Sequence, residues 1–69
     1  MNVAIETDYI KLDSFLKMIN EVSSGGEAKI VISEGDVAVN GEVELRRGRK
    51  LYPGDSVVFG ARKFTVESA

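Results

Sequence analysis

The stretch Ser24–Gly41, SGGEAKIVISEGDVAVNG, leaves the chain few alternatives. Ser24 and Glu27 have the S-x-x-E spacing of a capping box. In that arrangement the serine oxygen accepts from the N–H of Glu27, and the glutamate reaches back to the N–H of Ser24. Ala28, Val31 and Ile32 then stand at i, i+3 and i+4, marking one apolar helix face. Gly35 fits the left-handed position just past a helix end. Val37 and Val39 alternate with Asp36 and Ala38, which is strand spacing. Asn40-Gly41 suits a type I′ turn, because both central residues of that turn need positive φ. The segment predicts a capped helix delivering straight into a β-hairpin.

Around this unit the remaining elements are expected to be short. Val3–Thr7 reads as an opening strand. Leu12, Phe15, Leu16, Ile19 and Val22 fall within one arc and predict a first helix over Leu12–Val22, with Asp13 and Ser14 suited to its start. Ser23–Gly26 ends that helix and launches the second, so the two must pack side by side or cross closely. Glu42–Leu45 alternates as a return strand would. Tyr52-Pro53-Gly54-Asp55 is a type II turn signal: proline presets φ and glycine supplies the positive φ. Ser56–Phe59 and Arg62–Val66 predict the last two strands, with Gly60-Ala61 between them. The fold class expected is α+β, two packed helices against a small, mostly antiparallel sheet.

With 69 residues the chain is expected to form one domain, 1–69, with a small core. It has no cysteine and no histidine. A disulfide and a thiolate metal site are therefore excluded, carboxylates alone suit zinc or copper poorly, and a serine nucleophile would lack its usual base. The acids Glu21, Glu27, Glu34, Glu42 and Glu44 read as caps and solvated faces rather than a catalytic pair. Gly25-Gly26 before a helix lacks the full spacing of a nucleotide-binding loop and is explained by the cap. No enzyme activity, cofactor or metal is expected. There is no apolar run of membrane-spanning length, and the acidic N-terminus lacks the basic region of a signal peptide, so a soluble cytoplasmic protein is expected.

The net charge is −2, which taken alone argues against a nucleic-acid partner. Its distribution argues otherwise. Arg46, Arg47, Arg49 and Lys50 place four of the nine basic residues within five positions. Screening beyond about 8 Å at physiological salt makes such a local patch count for more than the total. Arginine forks suit phosphates, and Lys11 and Lys29, off the apolar arcs near the two helix starts, can extend the surface. Lys17 reads as a solubilising lysine. The aromatic residues, Tyr9, Phe15, Tyr52, Phe59 and Phe64, are few and most occupy core-like positions, so base stacking on single strands is not expected, and shape and phosphate recognition of a folded or double-stranded nucleic acid is.

Lys11-Leu12-Asp13, Leu16, Ser24, Glu27-Ala28, Ile32, Gly35-Asp36-Val37, Val39-Asn40-Gly41 and Pro53-Gly54-Asp55 together resemble the RNA-binding domain named for the S-four protein of the small ribosomal subunit, the alpha-L motif. The match runs from about Ile10 to Phe59, and Val-x-Val-Asn-Gly after a capped helix is its specific part. The Ser-Gly-Gly-Glu-Ala and Arg-Arg-Gly-Arg-Lys-Leu strings look like the small bacterial members that carry little besides this domain. The resemblance implies binding of structured RNA, of ribosomal or transfer type, and carries over Lys11, Ser24, Lys29 and the Asn40-Gly41 turn as contacts; Arg46, Arg47, Arg49 and Lys50 join them from the charge reading. Two departures stand out: Gly25 where the family usually has arginine, and Ile30 where many members have a second basic residue. They leave open an alternative, a protein-interaction adaptor that retains the fold without the RNA face. DNA is disfavoured as a partner, since neither helix reads as a basic recognition helix.

Overall fold

The structure, a computed structural model, describes residues 1–69. In chain order the elements are β1 (Asn2–Ile5), β2 (Ile10–Lys11), α1 (Leu12–Met18), α2 (Gly25–Ser33), β3 (Val37–Val39), β4 (Glu42–Val43), β5 (Lys50–Leu51), β6 (Ser56–Phe59) and β7 (Arg62–Ser68). Five strands form one sheet in the order β1-β7-β6-β3-β4. Every pairing in it is antiparallel except β1 with β7. A separate two-stranded ribbon joins β2 to β5.

The central unit forms as its residues dictate. Ser24 is the N-cap of α2, and its Oγ accepts from the Glu27 N–H at 3.2 Å. The reciprocal half of the box closes one residue upstream of the expected place. Glu27 Oε1 accepts from the Ser23 N–H at 2.6 Å and the Ser23 hydroxyl at 3.0 Å, not from Ser24. At the other end Gly35 takes φ +83°, and the N–H groups of Gly35 and Asp36 bond back to the carbonyls of Ile32 and Val31. This is the two-bond closure of a Schellman motif. Asn40 and Gly41 both have positive φ, +53° and +86°, as a type I′ turn requires.

Helix α1 ends earlier than its apolar spacing predicts, at Met18 rather than Val22. Asn20 is the reason. It adopts φ +60°, its N–H bonds to the Lys17 carbonyl, and the Glu21 N–H bonds to the Leu16 carbonyl. A second Schellman closure is thus built on asparagine, the non-glycine residue best suited to that conformation. Val22 remains buried, but it is delivered by the turn and not by the helix.

The buried faces of both helices meet the sheet in one cluster. Phe15, Leu16, Ala28 and Ile32 come from the helices; Val37, Val39, Val57, Phe64 and Val66 come from the strands. Phe15 and Phe64 meet edge to face with centroids 6.2 Å apart, an arrangement worth about 0.5–1.5 kcal/mol beyond burial alone. A second tie crosses the chain. Asn40 donates from Nδ2 to Asp55 and accepts at Oδ1 from the Ser56 N–H, linking the hairpin turn to the Pro53-Gly54 turn, where Gly54 has φ +99°.

Phe15→Ala is expected to cost about 3–5 kcal/mol, a large share of the roughly 3–10 kcal/mol available to a chain this small. Urea unfolding should show the midpoint falling steeply at unchanged slope. A loss below about 1 kcal/mol would contradict the placement of Phe15 at the helix–sheet junction.

Candidate nucleic-acid interface

The hairpin register sets up the interface. Pairing of Val39 with Glu42 and of Ala38 with Val43 puts Glu42 on the face of Val39 and turns Val43 outward. One residue on, the Glu44 N–H bonds to the Val37 carbonyl. The expected alternation of the return strand is therefore inverted. Val43 and Leu45 are 62 % and 61 % exposed, whereas Glu44 is 7 % exposed, and the regular strand stops at Val43.

A carboxylate turned inward needs partners, and the chain supplies them within five residues. Glu44 Oε2 accepts from the Arg46 N–H at 3.0 Å and from Arg46 Nε at 2.9 Å. Its Oε1 accepts from Arg46 Nη2 at 3.1 Å and Arg49 Nη1 at 2.8 Å. The bonds from Arg46, first among these influences, hold the Glu44 carboxyl down at about 2 against an ordinary 4.5 and raise the Arg46 guanidinium. Two of the four clustered cations are thereby neutralised in part and fixed in direction.

The same segment is anchored from its other side. The carbonyls of Arg49 and Arg47 accept from the N–H groups of Leu12 and Asp13 at 2.9 and 3.1 Å. These are first-turn donors of α1, whose N-cap Lys11 offers no side-chain cap. Arg46–Arg49 closes a tight turn, with the Arg49 N–H on the Arg46 carbonyl at 3.2 Å. The backbone of the basic loop thus serves α1 as its cap.

The third anchor is the β2–β5 ribbon, which no periodicity in the sequence marks. Ile10 pairs with Leu51 and Lys11 with Lys50. Leu51 is fully buried and Ile10 packs on the core. Strand alternation then puts Tyr9, Lys11, Lys50 and Tyr52 together on the outer face. Tyr9 and Tyr52 have ring centroids 5.9 Å apart, and Lys50 Nζ lies 4.8 Å from the Tyr9 centroid. A legible trace of this pairing does exist: Tyr-x-Lys at 9–11 is mirrored by Lys-x-Tyr at 50–52, with an aliphatic residue between in both.

The anticipated contacts divide accordingly. Lys11 and Lys50 are cross-strand neighbours, Lys50 shares a concavity with Arg46 and Arg49, and Arg47 is exposed on the intervening turn. Asn40 shares a polar concavity with Glu42, Glu44, Arg46 and Arg49, its side chain already committed to Asp55 and Ser56. Gly41 completes that turn. Ser24 caps α2, and Lys29 is exposed on α2 with no ion-pair partner. Lys17 is exposed on α1, its Nζ 4.0 Å from where a Cβ on Gly25 would stand.

The S4 domain model matches residues 3–67. The chain belongs to the S4 domain family. Among relatives of this S4 domain chain, RlbA of Bacillus subtilis strain 168, named a probable ribosome maturation protein, is 51% identical over 55 residues, covering 80% of this chain and 78% of that protein. YbcJ of Escherichia coli K12 is 38% identical over 58 residues, covering 84% and 83%. The solution structure of YbcJ from Escherichia coli, described as revealing an alpha-L motif involved in RNA binding, superposes with a TM-score of 0.73 at 32% identity, covering 97% of this chain and 86% of that one. The α+β arrangement of two helices and a mostly antiparallel sheet is the one these S4 domain relatives lead one to expect.

Glu44→Gln is expected to lower stability at neutral pH by about 1–3 kcal/mol. The carboxyl is depressed on folding, so its contribution is complete above 4.5 and is lost as the pH falls from 4.5 to about 2. Thermal unfolding followed by circular dichroism should show wild type and variant converging across that window. A gap independent of pH would contradict the ion-paired carboxylate.

Proposed function

We propose that this chain is a non-enzymatic module that binds structured RNA, of ribosomal or transfer type, in the cytoplasm. The observation that carries the reading is the Arg46–Lys50 loop, whose backbone is pinned to the first turn of α1 and whose Arg46 and Arg49 are held by Glu44. Cations fixed before the partner arrives lose little side-chain freedom on binding. Lys11, Arg47 and Lys50 enter no ion pair and are exposed, so they are free for phosphates. Arg46 and Arg49 define the edge of that surface, with Lys29 an outlying contact; Asn40 and Gly41 shape the hairpin turn beside it, and Ser24 acts by capping α2. The RNA-binding motif described for YbcJ and the ribosome-maturation name of RlbA support the same reading.

Each helix carries one lysine, Lys17 in α1 and Lys29 in α2, which disfavours insertion of either into the DNA major groove. No helix is long and apolar enough to cross a membrane. The adaptor alternative draws on Ile30, which is exposed on α2. An isolated exposed isoleucine is ordinary, whereas an anchored run of four cations on an acidic protein is not.

Because Arg46 and Arg49 also satisfy Glu44, the clean test removes the three unpaired cations. For wild type, log affinity for a folded RNA should fall with log salt at a slope on the order of −3 to −5, for roughly four to six phosphates. Lys11→Gln/Arg47→Gln/Lys50→Gln should flatten it by about 2–3 and leave the circular dichroism unchanged. Equal slopes would reject the surface.

A further inference from the structure

The outer face of the β2–β5 ribbon has features that phosphate binding alone leaves unexplained. Lys11 and Lys50 stand directly opposite each other on paired strands. Like charges in that relation destabilise a ribbon, and this one has only two residue pairs to hold it. On the same face Tyr9 and Tyr52 are 37 % and 48 % exposed, although their ribbon neighbours Ile10 and Leu51 pack into the core. Tyr52 forms one wall of an open concavity of about 570 Å³ whose other sides are Arg46, Gly48, Arg49 and Lys50. At Gly48 a Cβ would meet nothing within 4 Å, so the space there is unfilled. A half-exposed aromatic ring among cations fits a ligand that is both flat and anionic.

Resting on the RNA-binding reading, we propose that this concavity takes one unpaired nucleobase of the RNA, stacked on Tyr52, with its flanking phosphates on Lys11 and Lys50. Tyr9 supports the platform from behind. Its ring lies beside Tyr52, and one face is already occupied by the Lys50 ammonium, which leaves Tyr52 as the ring open to a base. The cations relieve their own repulsion by sharing the phosphates on either side of the extruded base. A paired helix cannot present such a base, because its rings are stacked on one another. The site therefore favours folded RNA carrying a bulge or loop over uninterrupted duplex. The core-like positions expected of the aromatics hold for Phe15 and Phe64 and in part for Phe59, whereas Tyr9 and Tyr52 are exposed.

The test uses two RNA hairpins of equal length in low salt, one fully paired and one with a single bulged 2-aminopurine, whose fluorescence is quenched when it stacks. Wild type should bind the bulged hairpin about tenfold more tightly, the worth of one stacked base, and quench the probe. Tyr52→Ala should bind both hairpins equally without quenching, and Tyr52→Phe should restore preference and quenching, since the ring and not the hydroxyl is required. Equal affinity for both hairpins with no quenching by wild type would overturn the stacking site and leave RNA binding intact. Failure to bind either hairpin would overturn both. Adenosine monophosphate at the same concentration should leave the emission of Tyr9 and Tyr52, the protein's two tyrosines in a chain without tryptophan, unchanged. Quenching equal to that by the bulged hairpin would make this a free-nucleotide site and overturn the RNA assignment.

Discussion

A carboxylate turned toward the interior at the edge of a sheet cannot be left alone, and Glu44 is such a group. The two-residue turn at Asn40-Gly41 fixes the register of β4 on β3, and that register sends Glu44 inward while Val43 and Leu45 face solvent. Exposing two apolar side chains to bury an acid is a poor exchange in hydrophobic terms. It is offset by four hydrogen bonds from Arg46 and Arg49 to one carboxylate. The direction of the basic loop follows from that requirement. Its carbonyls, left facing the other way, meet the open N-terminus of α1. One loop thus closes the hairpin, caps a helix and presents cations.

This arrangement explains how a chain with net charge −2 can offer a polyanion a surface. The basic residues do not act as a uniform cluster. Arg46 and Arg49 are partly neutralised and directed, while Lys11, Arg47 and Lys50 remain unpaired. Coupling between the two groups is structural: the arginines shape the loop that carries Arg47 and Lys50, and Lys11 stands opposite Lys50 on β2. Repulsion among the latter is not relieved within the protein, since Lys11 faces Lys50 across the ribbon.

Much of the architecture was legible in residue spacing. The α2 cap, the Gly35 stop, the Asn40-Gly41 turn and the Ser56–Phe59 strand follow from local chemistry, and local chemistry is what a sequence displays. Asn20 hid the end of α1, because the apolar arc continues through a turn that keeps Ile19 and Val22 facing inward. The candidate site was legible in composition but not in form. That Arg46–Lys50 carries charge is plain; that Glu44 restrains it depends on the register of β4 on β3. The Tyr9 and Tyr52 pairing joins residues 43 positions apart through a ribbon too short to show alternation. Only the mirrored Tyr-x-Lys and Lys-x-Tyr triplets hinted at it.

The central claim is that Glu44 organises the loop proposed to bind RNA rather than merely diluting its charge, and the affinity of Glu44→Gln for a folded RNA tests it most directly. The substitution removes one negative charge beside the phosphate path, so simple electrostatics demands tighter binding. If the carboxylate positions Arg46 and Arg49, binding weakens instead, at a temperature where the variant is still folded by circular dichroism. Weaker binding by Glu44→Gln is the predicted result; affinity equal to or greater than that of wild type would contradict the account.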